Sequence, residues 1–407
     1  LTTTPGKTAT LKVKRTNIAE RLYRVTGQGI FRDSELLGLK TPPGVPSFNA
    51  GVVGQDSVQA VPYRDRIFWL WGDTNLANYP LGNFQTTAAT TTLPGKDFDS
   101  QAGVPLNYFL AAQPENVRDI TPRVRAMAPL PDPGIVWLFG LLTVDDPEGR
   151  EALVAHYSRR KGLVDELEHG MMRFNDDKGV FEKIATFDLE NHWRFPTGNA
   201  RLVDEPDGKY FYISGPFANI RVLADWKSLL EPKAYRALAF DVEKQDYRWQ
   251  NDQPPTTQAG ERQLLESGKL PAEKARYQLT DAATDEPVRD LHHSSIVWNE
   301  YRKKWILIGL QQDMSGKPSH LGELWYAEAG HPTGPWKKAI KIASHPQYSF
   351  YNPRQHVFLD EKGGRFIYFE GTYTKTFSGN STATPRYEYN QLMYRLDLAD
   401  ERLQAVR

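Results

Sequence analysis

Residues 54–75 read GQDSVQAVPYRDRIFWLWGDTN, and the parsing of this stretch decides the fold. A polar opening leads into a short strand, a charged turn follows, and a strongly apolar aromatic strand ends in Gly72-Asp73-Thr74. That is the pattern of a β-hairpin. Weaker echoes begin at Thr121 (TPRVRAMAPLPDPGIVWLFGLLT), Pro196 (PTGNARLVDEPDGKYFYISGP), Leu291 (LHHSSIVWNEYRKKWILIGLQ) and Tyr351 (YNPRQHVFLDEKGGRFIYFEGTY). Repetition at this spacing signals a repeat architecture. In the fourth unit ELWYAEA and WKKAIKIA add two strands, and in the fifth QLMYRLDLA and RLQAVR do the same. Four antiparallel strands per unit, repeated about an axis, predict an all-β chain, a five-bladed β-propeller with an insertion in blade three.

The blades fall at about 51–117, 118–191, 192–288, 289–346 and 347–407, with residues 1–50 an N-terminal extension packing on the propeller. Blade three carries the excess, NDQPPTTQAGERQLLESGKLPAEKARYQLTDAATDEP, with a short helix expected at ERQLLESG. Within the extension, ATLKVKR reads as an outer strand.

Composition narrows the function classes. The chain has 407 residues, enough to bury a full core. Lys+Arg and Asp+Glu both number 50, so the net charge is zero, which argues against nucleic acid or an anionic membrane as the main partner. No apolar stretch is long enough to span a bilayer. Zero Cys excludes disulfides, thiolate catalysis and zinc–cysteine sites. The chain begins at Leu1, which fits a signal peptide removed from a periplasmic or extracellular bacterial protein.

Alignment of the hairpins on Trp71, Phe139, Tyr212, Leu307 and Tyr368 puts Asp73, Leu141, Ser214, Gly309 and Glu370 two residues later. Blades one and five are neighbours in a closed ring, and both then end a strand in a carboxylate. Second strands of a meander end where inner strands begin. The inner openings carry Asp56, Arg123 and Arg125, Asn199, His292 and His293, and Arg354 with His356, while Trp71 and Tyr373 stand nearby. Asp56, Asp73 and Glu370 are thus the candidate catalytic residues and the others candidate substrate contacts. Buried axial acids are costly unless used or paired. Glu323 starts a third strand, further from the axis, and reads as structural.

Five-bladed propellers with axial acids resemble glycoside hydrolase families 43, 32, 62, 68, 117, 130 and 183, and ELWYAEAGHPTGPWKKA resembles the third-to-fourth-strand passage of family 43. GQDSVQAVPYRDRIFWLWGDTN resembles the opening of the domain-of-unknown-function 4185 proteins, which include family 183. The resemblance implies catalytic roles for Asp56 and Asp73, hydrolysis of a poly- or oligosaccharide, and inversion at the anomeric carbon. Blade two departs from family 43, showing RVRAMAP where that family has an inner-strand Asp. The chemistry needs one protonated and one ionised carboxyl. Asp56 is assigned as base, and Asp73 or Glu370 as acid with the other tuning it. A polysaccharide lyase using Tyr, His and Arg, a glycoside phosphorylase binding phosphate through Arg and His, and a non-catalytic carbohydrate-binding propeller are the alternatives. No cofactor is required, since neither a His-Glu helix pair nor an Asp-rich calcium loop is present. The resemblance allows a structural Ca²⁺ near the axis at His292, His293 or His356.

Overall fold

The structure is a computed structural model that describes residues 6, 8, 10, 12–27, 32–40, 49–76, 86–95, 99–112, 123–384 and 388–406. Its strands form five sheets arranged as the blades of a propeller, with one two-stranded ribbon. The first strand, β1 (Glu20–Arg24), belongs to the last blade. The ribbon is β2 (Val52–Gln55) against β5 (Thr74–Leu76), and it brackets blade one, which is β3 (Gln59–Tyr63), β4 (Arg66–Trp71), β6 (Thr87–Thr92) and β7 (Asn107–Tyr108). Blade two is β8 (Ile135–Asp145), β9 (Glu151–Lys161), β10 (Asp165–Asn175) and β11 (Val180–Phe187). Blade three is β12 (Asn199–Glu205), β13 (Gly208–Ser214), β14 (Ile220–Leu223), β15 (Arg236–Asp241) and β16 (Asp246–Gln250).

A helix, Gln258–Glu266, follows, capped by Thr257 Oγ1 accepting from Gly260 N at 3.0 Å. Beyond it β17 (Leu279–Asp281) and β18 (Pro287–Val288) join the outer edge of blade four, where β17 runs parallel to the blade's fourth strand. That blade is built on β19 (Leu291–Asn299), β20 (Lys304–Gln311), β21 (Glu323–Ala329) and β22 (Lys338–Ala343). Blade five is β23 (Ser349–Gln355), β24 (Phe366–Thr374) and β25 (Asn390–Asp397), with β1 as its outermost strand. Among the described residues no helix is long and apolar enough to cross a membrane.

The blades pack face to face, so a middle strand is buried on both sides and reads as a continuous apolar run. In β4, Phe68 and Leu70 pack with Leu138, Tyr157 and Phe174 of blade two. Ile67, Trp69 and Trp71 pack the other way, with Tyr23, Tyr368 and Met393 of blade five. Inner strands β3, β8, β12, β19 and β23 surround the axis and are stitched by polar side chains. Gln59 binds Leu138 O and Leu141 N, Asn199 donates to Ser294 O, Ser295 Oγ accepts from Gln355 N, and Arg354 donates to Ala60 O.

Three expected strand assignments differ. Of RLQAVR, the described residues 402–406 lie in a 3-10 helix, Glu401–Val406, because β1 supplies the fourth strand of blade five; the outer strand is ERLYR, and of ATLKVKR residues 9 and 11 lie outside the described residues while 12–15 form no strand. In blade two IVWLFG is the inner strand, not the second. The segment read as its inner strand runs along the edge of blade one, with Val124 bridging Leu110, and Pro129, Pro131 and Pro133 cannot donate to a ladder.

Candidate active site

Asp56 and Asp73 face one another where two chains cross the top of blade one. The chain kinks between β2 and β3 at Asp56-Ser57, Ser57 having φ 54°, and between β4 and β5 at Gly72-Asp73. Pairing continues through both kinks, from Asp56 N to Asp73 O at 3.1 Å and from Gly72 N to Asp56 O at 2.9 Å. The Asp56 carboxylate folds over the hairpin, so that its Oδ1 accepts from Asp73 N at 2.8 Å. A Cβ at position 72 would lie 2.5 Å from that oxygen, which is why the strand ends in Gly before the acid.

Asp56 Oδ2 accepts from Tyr351 Oη at 3.0 Å and Tyr389 Oη at 2.9 Å, and Asp73 Oδ1 accepts from Trp137 Nε1 at 2.8 Å. Burial raises the Asp56 pKa, against the pull of the two tyrosines and the Asp73 amide. Burial, then the charge on Asp56, pushes Asp73 up to about 7, with the Trp137 hydrogen bond holding it down. Burial and the Asp56 charge keep both tyrosines well above the ordinary phenol range.

These groups line a pocket of about 790 Å³, with Asn75, Phe139, His292, His293, Gln312, His320, Asn352, Phe377 and Glu388 on its walls. A throat of about 140 Å³ continues toward the axis, lined by Gln59, Phe139, Asn199, His293 and Asn352. Burial, then His292, pulls His293 down to about 3, and burial, then His320, lowers His292, so neutral rings face the pocket. Glu388 accepts from Thr374 Oγ1 at 2.6 Å and from Lys375 N, fixing the rim of blade five.

Of the expected residues, Asp56, Asp73, His292, His293 and Asn199 therefore meet in the pocket and its throat. The rest lie elsewhere. Glu370 is fully buried on the blade-one face of blade five, its Oε1 2.6 Å from His356 Nε2, and burial raises it to about 8. Burial, then Arg354, drives His356 well below the ordinary histidine value. Arg354 is buried against Asn199 Oδ1 and Ala60 O. Trp71 stacks on Trp69 in the blade one–five interface, and Tyr373 stacks on Tyr348 at 4.9 Å. Arg125 donates to Lys178 O at 2.7 Å, and Arg123 is exposed at the blade-one edge. The strand exchange in blade two is the cause for the two arginines. For Glu370 it is strand length, since β24 runs four residues further, to Thr374, and leaves Glu370 in mid-strand.

Tyr351, Tyr389, Trp137, His320 and Glu388 are the site residues that the repeat frame missed. Trp137 alone carried a signal, as the second-strand aromatic of a unit whose inner strand it occupies. A hard cation such as Ca²⁺ needs a cage of oxygens. His292 and His293 share the pocket with the oxygens of Gln312, Asn352, Asp56 and Asp73, whereas His356 stands against Glu370, Arg354 and Trp69, which do not form one.

Fold and site together define a five-bladed β-propeller with two aspartates at the mouth of its axis, the carboxylate of Asp56 on the backbone amide of Asp73. No family model matches the chain, and no curated protein matches it. Similar solved structures include a candidate exo-β-1,3-galactanase from Bifidobacterium bifidum s17, at 11% identity over 94% of each chain with a TM-score of 0.42. A glycoside hydrolase family 43 enzyme from Xanthomonas citri, complexed with xylotriose, is similar at 11% identity over 86% of this chain and 87% of its own, with a TM-score of 0.38. An exo-1,5-α-L-arabinanase from a bovine ruminal metagenomic library is similar at 10% identity over 85% and 94%, with a TM-score of 0.39.

Proposed function

We propose that the chain is a glycoside hydrolase acting on neutral glycans, with Asp73 as general acid and Asp56 as the ionised partner. The observation that carries this reading is the burial of Asp73 beside Asp56: burial, then the Asp56 charge, raises Asp73 to about 7 and so keeps a proton available near neutrality. Two adjacent carboxyls cannot both ionise freely, and a glycosidic bond needs one in each state. Asp73 would protonate the leaving oxygen while Asp56, held by Tyr351 and Tyr389, faces the anomeric carbon.

For the stereochemistry we keep the inversion that the family resemblance implies, with Asp56 as the base that activates a water and Asp73 as the acid on the leaving oxygen. Among the described residues the pocket wall carries no Lys or Arg, which is the ground for proposing neutral glycans. The raised tyrosine pKa values weigh against a tyrosinate base and so against a lyase. Reducing-end release from a panel of neutral plant, marine and bacterial glycans tests the reaction, and proton NMR of the first-formed anomer tests the stereochemistry. Turnover only of phosphate-containing mixtures, or an unsaturated product, would replace the hydrolase reading.

A further inference from the structure

Blade two carries a second cluster of chemistry-bearing side chains, on its outer strands rather than at the axis. Glu166, His169 and His192 each offer one ligand atom, and those atoms lie within 4.8 Å of one another. Residues three apart on a regular strand point to opposite faces. Here a β-bulge between Glu166 and Glu168 resets the alternation, so Glu166 pairs with Arg160 and His169 with Ser158, two residues along the same face of β9. His192 comes from the 3-10 turn His192–Arg194 that follows β11.

His169 is 1% exposed, packed on Phe195 at 4.2 Å between ring centres. Its Nε2 lies 2.8 Å from Asp188 O, which requires the proton on that nitrogen and leaves a lone pair on Nδ1. That Nδ1 is buried, has no hydrogen-bond partner, and points at Glu166 Oε2 3.4 Å away. His192 Nδ1 lies 3.4 Å from the same oxygen. Glu166 Oε1, meanwhile, accepts from Ser158 Oγ at 2.5 Å, fixing the carboxylate. The lone pair of a neutral His169 ring and Glu166 Oε2 thus face each other across a gap that a cation would fill, while Arg160 stands at the other carboxylate oxygen, 3.7 Å from Oε1.

We propose that Glu166, His169 and His192 bind a zinc-class divalent cation. Ligands at about 2.0–2.2 Å from a tetrahedral ion stand about 3.3–3.6 Å apart; the two Glu166–His separations are 3.4 Å, and all three ligand atoms lie within 4.8 Å of one another. The backbone carbonyl on the far nitrogen of His169 is the outer partner that orients a metal-binding imidazole. An adjoining cavity of about 430 Å³, lined by Arg160, Asp165 and Leu189 among others, gives access for the ion and a fourth, solvent ligand.

The test uses the full chain, stripped with chelator and equilibrated with buffered ZnCl₂, with bound metal read by emission spectroscopy and fold checked by melting without metal. One Zn²⁺ per chain is expected, with affinity lowered at least about tenfold in both His192→Ala and Glu166→Gln. Co²⁺ in place of Zn²⁺ should give the intense visible bands of a tetrahedral site. A wild-type chain that retains no Zn²⁺ shows that a proton alone holds the cluster, and variants that bind as the wild type does place the metal elsewhere. Either result overturns the proposal.

Discussion

At Asp73 burial, then the Asp56 charge, raises the proton affinity on which the proposed reaction depends, and the Trp137 hydrogen bond opposes them. If Asp73 is the acid, kcat/KM falls as pH rises through about 7. The Trp137 hydrogen bond lowers this pKa, so Trp137→Phe should move the alkaline limb to higher pH; a limb that stays in place or moves down would separate Asp73 from the rate. Stability has its own sign. A folded pKa of about 7 against the ordinary 3.8 means that the stabilising proton is fully present below about pH 4 and is lost as pH rises through 7. Asp73→Asn, which keeps an acceptor for Trp137, should therefore melt above the wild type at pH 8, with the gap closing toward pH 4. Gly72 and Asp73 were legible in GDTN because turn and acid are local. The tyrosines that hold Asp56 were not, since they come from residues 351 and 389, far along the chain.

Elements fix which acids can meet. Gly72 lets the end of β4 lie under Asp56, and Gly72→Ala should displace that carboxylate and lower turnover about tenfold or more, with the melting temperature reporting whether the fold survives. Turnover equal to wild type would mean that the kinked crossing does not position the acid. The hairpin repeat disclosed the inner and second strands of four blades. It failed in blade two because a long apolar strand carries no mark of its place in the sheet, and it misplaced Glu370 because β24 outruns β4. Pattern gives strand identity; length and crossing give the residue at the strand's end.

Across the whole molecule the ring closes through β1, which pairs with β25 and places Tyr23 between blades five and one, its hydroxyl 2.5 Å from Ser100 O. Tyr23→Ala should cost about 3–5 kcal/mol, read as a lower denaturation midpoint of one cooperative transition. A change below about 0.5 kcal/mol would show that this closure contributes little. The ring also explains the division among the acids: Asp56 and Asp73 stand at the axial mouth, while Glu370 is sealed between blades with His356. The most direct test measures turnover on a glycan that the wild type cleaves, for Asp56→Asn, Asp73→Asn and Glu370→Gln side by side. The two pocket variants should lose about a hundredfold to ten-thousandfold in rate while staying folded, and Glu370→Gln should keep turnover within about tenfold. Wild-type turnover in Asp73→Asn, or a collapse of rate in a folded Glu370→Gln, would contradict the assignment of catalysis to the Asp56–Asp73 pair.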